Sequence, residues 1–312
     1  MPMSDVLAQY PALSTEAWLS FCDPIVRALA FVIASPSLIH AWPATVSRAN
    51  NIELPTDAFW QRQLIAYWPR LCQLDQNPRP LHHALQLRPN LKLGHYFEDL
   101  LGFWLADEGW HEFVLIEQGL QRMDGKRTLG ELDFLVENLE TGQIEHWEVC
   151  LKFYLGEGSL KPAEWVGLQR KDTLGRKLHH LQQQQFAVRS IQGLRIDHRR
   201  AVIKGRLFWP NSANQQSLAT MHEIQAWLSP TALRGTWADT PPSRSALPHS
   251  HHWRRAHRLE WVTEQAEPIP TTLPQYWTNG LYFQLTQDHH IVERRMLRLR
   301  TPTLQLPYRH NV

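Results

Sequence analysis

Three acidic residues in the middle of this chain stand where acids are costly. Asp133 interrupts the apolar run Leu-Asp-Phe-Leu-Val. Aspartate is a poor strand former, and inside such a segment it calls for a polar partner or a metal ion. Glu148 repeats the pattern in His-Trp-Glu-Val-Cys-Leu-Lys-Phe-Tyr-Leu. Period-2 alternation puts Glu148, Cys150 and Lys152 on one strand face. Glu98 lies upstream in a helix-like segment. At ~100° per residue it falls on the edge of the apolar stripe, beside Leu101 and Leu105, while Asp99 points to the opposite side. A carboxylate at that edge can reach over a sheet. Buried acids paired with basic side chains produce the same pattern for structural reasons alone.

Charge along the chain sharpens the choice. Lys92 through Glu148 holds 13 acidic against 4 basic residues, and Gln169 through Arg206 holds 10 basic against 2 acidic. An acidic segment followed by a basic one fits a metal site beside a polyanion track. Two solvated faces of opposite sign are the plainer explanation. Arg170, Lys171, Arg176 and Lys177 precede a glutamine run, and Arg199, Arg200, Lys204 and Arg206 follow it. Cations at this density can neutralise backbone phosphates without reading sequence.

The elements that must position these residues read as follows. Leu93, Phe97, Leu100, Leu101, Trp104 and Leu105 share one side of a helix, which Gly109 ends. Phe113 to Ile116 is a short apolar run suited to a buried strand. Met123-Asp-Gly-Lys126 supplies a turn. Leu132, Phe134 and Val136 alternate along a second strand. After a loop at Glu140 to Gln143, Trp147, Val149, Leu151 and Phe153 share one face of a third. Leu168 to Phe186 reads as a helix, and Ala201 to Ile203 with Leu207 to Trp209 as a strand around Gly205. The order is helix, three strands, helix, strand, which implies an α/β layer with a mixed sheet. Breaks at Asp75–Pro80, Asn211–Ser217 and Ala238–Ser250 are rich in proline, serine or asparagine. They divide the chain into a helical N-terminal region (1–85, with a helix over Asp57 to Leu71), a core (86–210) and a C-terminal accessory α+β region (211–312). In the last, Met221 to Leu228 reads as helix, and Leu281 to Leu285 and Met296 to Arg300 as strands.

Leu-Gly-His-Tyr-Phe-Glu98 on a helix, Gly130-Glu-Leu-Asp133 on a strand, and Glu148 with Lys152 on the next strand resemble the PD-(D/E)XK nuclease superfamily. More closely, the chain resembles an uncharacterised bacterial protein family, a domain of unknown function, grouped with that superfamily. The superfamily resemblance covers roughly residues 92–210 and implies a restriction-endonuclease-like αβββαβ core. It also implies that Asp133 and Glu148 bind Mg²⁺ or Mn²⁺, with Glu98 as an accessory ligand and Lys152 as the catalytic cation. In the superfamily pattern the lysine lies two residues after the acid, where this chain has Cys150. Lys152 is four residues on, roughly 13 Å of strand, unless a bulge shortens the gap. Lys152 reaches back, or another cation serves, or cleavage has been lost. Gln182 to Phe186 matches the spacing of a Gln-x-x-x-Tyr motif of some members but lacks the hydroxyl.

Other classes are excluded or set aside. No run reaches the ~20 apolar residues of a membrane span; Ile25 to Ile39 is too short and contains Arg27 and Pro36. The beginning Met-Pro-Met-Ser-Asp lacks a secretion signal. Three scattered cysteines, Cys22, Cys72 and Cys150, form neither a disulfide framework nor a zinc site, so a reducing cytoplasm is the expected location. There is no Gly-x-Gly-x-x-Gly, Walker A or Gly-x-Ser-x-Gly sequence. His249, His251, His252 and His257 have no second cluster to complete a zinc site. Trp253, amid Arg254 and Arg255, is of a type that stacks on bases. The expectation is a cytoplasmic Mg²⁺-dependent nuclease acting on DNA ahead of RNA. Its rivals are a catalytically inactive nuclease-fold nucleic-acid-binding protein and a structural or protein-interaction module. The oligomeric state stays open, a homo-oligomer included.

Overall fold

The computed structural model describes residues 16–85, 92–124, 127–211, 218–242, 252–264 and 277–300. The turn residues Gly125 and Lys126, most of the Asn211–Ser217 and Ala238–Ser250 breaks, and His249 and His251 lie outside them.

Four helices come first. α1 (Pro24–Ala34) starts at Asp23, whose carboxylate caps the Ile25 and Val26 N–H groups, the preferred arrangement at a helix start. The apolar run that contains it is core: seven of its residues are buried. α2 (Asp57–Gln76), α3 (Arg79–Leu85) and α4 (Leu93–Ala106) follow. Among the described residues no helix is long and apolar enough to cross a membrane.

Three long strands come next: β1 (Phe113–Asp124), β2 (Arg127–Asn138) and β3 (Gln143–Gly156). β1 is far longer than its apolar stretch suggests, because it pairs with β2 out to Asp124 opposite Arg127. A two-residue strand β4 (Trp165–Val166) precedes α5 (Leu174–Gln183), which begins later than expected because Thr173 caps it, its hydroxyl accepting from the Arg176 N–H. A small hairpin, β5 (Ser190–Ile191) and β6 (Leu194–Arg195), leads to β7 (His198–Pro210). Then come α6 (Leu218–Gln225), β8 (Arg234–Ala238), β9 (His252–Arg255), α7 (Glu260–Thr263), β10 (Gly280–Leu285) and β11 (Ile291–Leu297).

The sheet runs β1-β2-β3-β7-β8-β11-β10-β9, with β4 on β3. It is antiparallel from β1 to β3, parallel across β3, β7, β8 and β11, and antiparallel again to β10 and β9. The fold is therefore mixed α/β around one large sheet. The segments read as core and C-terminal region both supply its strands, and the helices of the N-terminal region pack on it. α1, α2 and α4 cover one face, packing on Trp147, Val149, Leu151 and Val202. α5 covers the other through Leu174, Leu178 and Leu181, against Cys150, Ala201 and Ile203. Tryptophans serve mainly this packing: Trp18, Trp60, Trp104, Trp147 and Trp165 are all below 2% exposed. Gly205 sits mid-strand in β7 opposite Lys152, at φ +133°. An added Cβ would stand 1.8 Å from the Lys152 carbonyl oxygen, so only glycine lets β3 and β7 close there.

Candidate functional site

β2 follows β3 only from Asn138 to Phe134, where Phe134 faces Trp147. One residue further, Asp133 and Glu148 stand across from each other, and the ladder ends. The Val149 N–H donates to the Asp133 carboxylate instead, at 2.7 Å. Beyond this point β2 stays with β1 and β3 with β7, so the sheet forks. The 3-10 turn Gln185–Ala187, which follows α5, packs into the fork.

Glu148 is buried. Its carboxyl is hydrogen-bonded to His146 Nε2 at 2.7 Å and accepts from the Gln185 amide. Burial holds His146 neutral by lowering its pKa to about 3, so Nε2 donates when Glu148 is ionised and accepts when Glu148 holds its proton. Nδ1 has no partner among the described residues. Asp133 keeps a partial opening to solvent, though protein surrounds it on nearly all sides. Burial, then the neighbouring Glu148 charge, push its pKa up to about 8, and Glu98 adds to the rise. Glu148 is likewise pushed up to about 8 by burial, against the opposing pull of Lys177 and a hydrogen bond with Asp133. Two apposed carboxyls in low dielectric cannot both ionise cheaply. Glu98, on α4, is 30% exposed at its side chain and accepts from His95 at 3.0 Å. Among the described residues no three His, Cys, Asp or Glu side chains gather in a set that could hold a metal ion. The site is a carboxyl pair with Glu98 nearby.

No lysine or arginine among the described residues forms an ion pair with Asp133 or Glu148. The contrast with Glu145, one face over on the same strand, is instructive. Glu145 accepts from Asn138 and the Trp147 indole and pairs with Arg200 at 3.4 Å. The Arg200 guanidinium lies 4.7 Å from the Phe59 ring centre and 4.8 Å from that of Trp147. Glu145 is what a structural buried acid looks like in this protein.

Lys152 does not face the pair. Its ammonium bonds Asp172 at 2.9 Å, and Tyr154 donates to the same carboxylate. The cation whose field reaches both acids is Lys177 of α5, which donates to Gln185 Oε1 at 2.9 Å while Gln185 donates to Glu148. Gln182 serves the loop before α2, accepting from the Ala49 and Asn50 N–H groups, and Phe186 packs on the His146 ring.

The basic residues separate into two groups. Lys171, Arg176 and Lys177 line a cleft of about 800 Å³ beside α5, with exposed Arg170 nearby, bridged to Glu157. The later group is corrected by the structure. Arg199 ties the 3-10 turn to β7 by donating to the Phe186 and Val188 carbonyls. Arg200, Lys204 and Arg206 are buried. The Lys204 ammonium caps the end of α1 at the Val32 and Ile33 carbonyls and sits 3.5 Å from the Trp60 ring centre. Arg206 pairs with Glu264. Arg200, Lys204 and Arg206 build the fold and are closed to a nucleic acid, while half-buried Arg199 is committed to the two carbonyls. Trp253 is also buried, beneath Arg295, and is not free to stack.

A domain of unknown function (DUF1853) matches residues 27–298. The chain belongs to the DUF1853 family. No curated protein and no solved structure matches it. DUF1853 membership fits the expectation of an uncharacterised family and brings no activity with it; chemistry has to be argued from the fork. Of the residues that sequence reasoning passed over in this DUF1853 chain, His146 was within reach, since it alternates with Glu148 on one strand face. Gln185 and Asp172 carried no such signal.

Proposed function

We propose that this protein is a metal-dependent phosphodiesterase acting on nucleic acid, DNA ahead of RNA, with a restriction-endonuclease-like core. The observation that carries the reading is the carboxyl pair at the fork: buried Glu148 and half-buried Asp133, both raised to about 8, with no cation paired to them among the described residues. With the two-residue strands β4, β5 and β6 set aside, the order α4, β1, β2, β3, α5, β7 agrees with the αβββαβ arrangement that the resemblance implies.

The donors suit Mg²⁺ or Mn²⁺, which prefer carboxylate oxygens. Asp133 and Glu148 would hold the ion and Glu98 would assist. Bound there, the ion would polarise a phosphoryl oxygen and lower the pKa of a water. His146 and Gln185 fix the Glu148 carboxylate in place. Lys177, rather than Lys152, supplies the positive charge next to the acids. The cleft with Lys171 and Arg176 would hold flanking phosphates.

The inactive nucleic-acid-binding reading is favoured by one observation, the engagement of Lys152 by Asp172. Cleavage of single- and double-stranded DNA and RNA with Mn²⁺ or Mg²⁺ separates the two. Activity lost in Asp133→Ala, Glu148→Ala and Lys177→Met, but kept in Lys152→Met, is the expected pattern. Removing one charged stabiliser should cost on the order of 10²–10³ in rate. No cleavage by any protein, with salt-sensitive binding by all, would move the conclusion to the binding module.

A further inference from the structure

A second cavity, of about 530 Å³, opens beside the cationic cleft. Trp42, Pro43, Leu160, Ile224 and Trp227 form its apolar lining. Exposed Arg48, Lys161 and His222 stand at its walls, with Glu223 as the one carboxylate there. Cleft and cavity share Thr45 and Pro162, so a ligand crossing that saddle would touch both.

The walls are held in place before any ligand arrives. The Trp42 indole donates to the Ile52 carbonyl, and the His40 and Ala41 N–H groups donate to the Trp227 carbonyl. The bonds from Ala49 and Asn50 to Gln182 anchor the same loop to α5. A preformed, mostly apolar cavity in the ~300–1,000 Å³ range is of the kind that takes small planar ligands.

We infer that this cavity receives a base of a single-stranded polynucleotide whose phosphates lie in the neighbouring cleft. Charge complementarity selects the occupant. Lys171, Arg176 and Lys177 in the cleft and Arg48 and Lys161 at the cavity outnumber the acids Asp172 and Glu223, and Asp172 is already engaged by Lys152. An apolar recess beside a cationic track suits an unpaired strand, enclosing the base while the backbone is neutralised. A paired duplex keeps its bases out of such a recess. The inference rests on the polynucleotide reading above and adds to it the class of strand.

The test is fluorescence anisotropy of the full chain in EDTA with labelled oligonucleotides of about twelve nucleotides. The probes are oligothymidylate, oligouridylate and an abasic strand with the same number of phosphates. At least one of the first two should bind about tenfold or more tighter than the abasic strand, and the tighter of them names the strand. Ala44→Trp, at an exposed position on one wall, should fill the cavity and abolish that preference while leaving abasic binding unchanged. Ser159→Trp, at another exposed position of the lining, should do the same. Equal affinity for base-bearing and abasic strands, or a preference that survives both substitutions, overturns the base pocket and leaves the polynucleotide reading standing. Binding to no strand overturns both.

Discussion

Replacing Asp133 by asparagine should make the metal-free protein more stable at mildly alkaline pH. The folded chain raises this carboxyl from 3.8 to about 8, so it retains a proton that the unfolded chain releases. The folded state then binds more protons than the unfolded one, and stability falls as pH rises towards 8. Three groups act the other way: buried His146 and half-buried Glu53 low on the scale, and Lys204, whose ammonium burial pushes well below 10.5, from above. His146, depressed to about 3, loses its contribution only as pH drops below its ordinary 6.5. Glu53, held at about 2 mainly by its hydrogen bond to His198, loses its own below 4.5. Above pH ~6.5 His146 and Glu53 have given their full contribution, and Lys204, common to wild type and variant, cancels when the two are compared. At ~1.4 kcal/mol per unit, the full displacement is worth at most ~5 kcal/mol near pH 7.5. The partial opening of Asp133 to water and its coupling with Glu148 reduce this to about 2–4 kcal/mol. Asparagine can still accept the Val149 N–H, and it removes one of the two apposed ionisable groups. Urea unfolding in EDTA from pH ~6.5 to ~8 should show the wild-type midpoint falling relative to that of Asp133→Asn, which stays the higher of the two. Mg²⁺ should then stabilise wild type and not the variant. A variant less stable than wild type at pH ~8 would mean that Asp133 is held by a partner it needs, and the metal-site reasoning would be wrong.

Two substitutions test the frame around the site. Gly205→Ala puts a Cβ 1.8 Å from the Lys152 carbonyl oxygen in a left-handed backbone region. It should cost about 3 kcal/mol or more, read as a drop in thermal midpoint; a neutral result would mean that β3 and β7 are not in this register. Lys204→Met removes the donor from the Val32 and Ile33 carbonyls in a fully buried setting. A loss of about 1–3 kcal/mol is expected, with oligonucleotide affinity unchanged, whereas loss of affinity without loss of stability would return Lys204 to the binding surface.

What could be read in advance follows from which forces act locally. Alternation of Leu132, Phe134 and Val136, and of Trp147, Val149 and Leu151, places two strands correctly because a buried face imposes its period directly on the chain. The edge position of Glu98 on α4 is legible for the same reason. That Asp133 and Glu148 stand opposite each other depends on register, which a single strand does not carry. Lys177 reaches Glu148 through Gln185 only because α5 lies across the face that bears Glu148 and Cys150, a tertiary fact. The basic segment misled through linear counting: charge density along a chain ignores that Lys204 and Arg206 lie in β7, walled by helices and strands on all sides. Thr173, by contrast, was a readable cap, and it explains why α5 begins at Leu174 and not Leu168.

The strand order also constrains how the chain can come into being. β11, made near residue 291, lies between β8 and β10 and runs parallel to β8. A nascent chain leaves the ribosome with β8 already synthesised and its partner still missing. Until β11 emerges, β8 presents an open edge next to the apolar surface of Leu155 and Phe208. Parallel pairing between distant segments is slow, because closing the intervening loop precedes the stabilising contacts. The acid pair therefore sits in the half of the sheet that can form early, and the half that seals the fold arrives last. Excising residues 92–210 as a portable catalytic module would leave β7 in the position that β8 occupies during synthesis, an interior strand turned into an edge and prone to self-association.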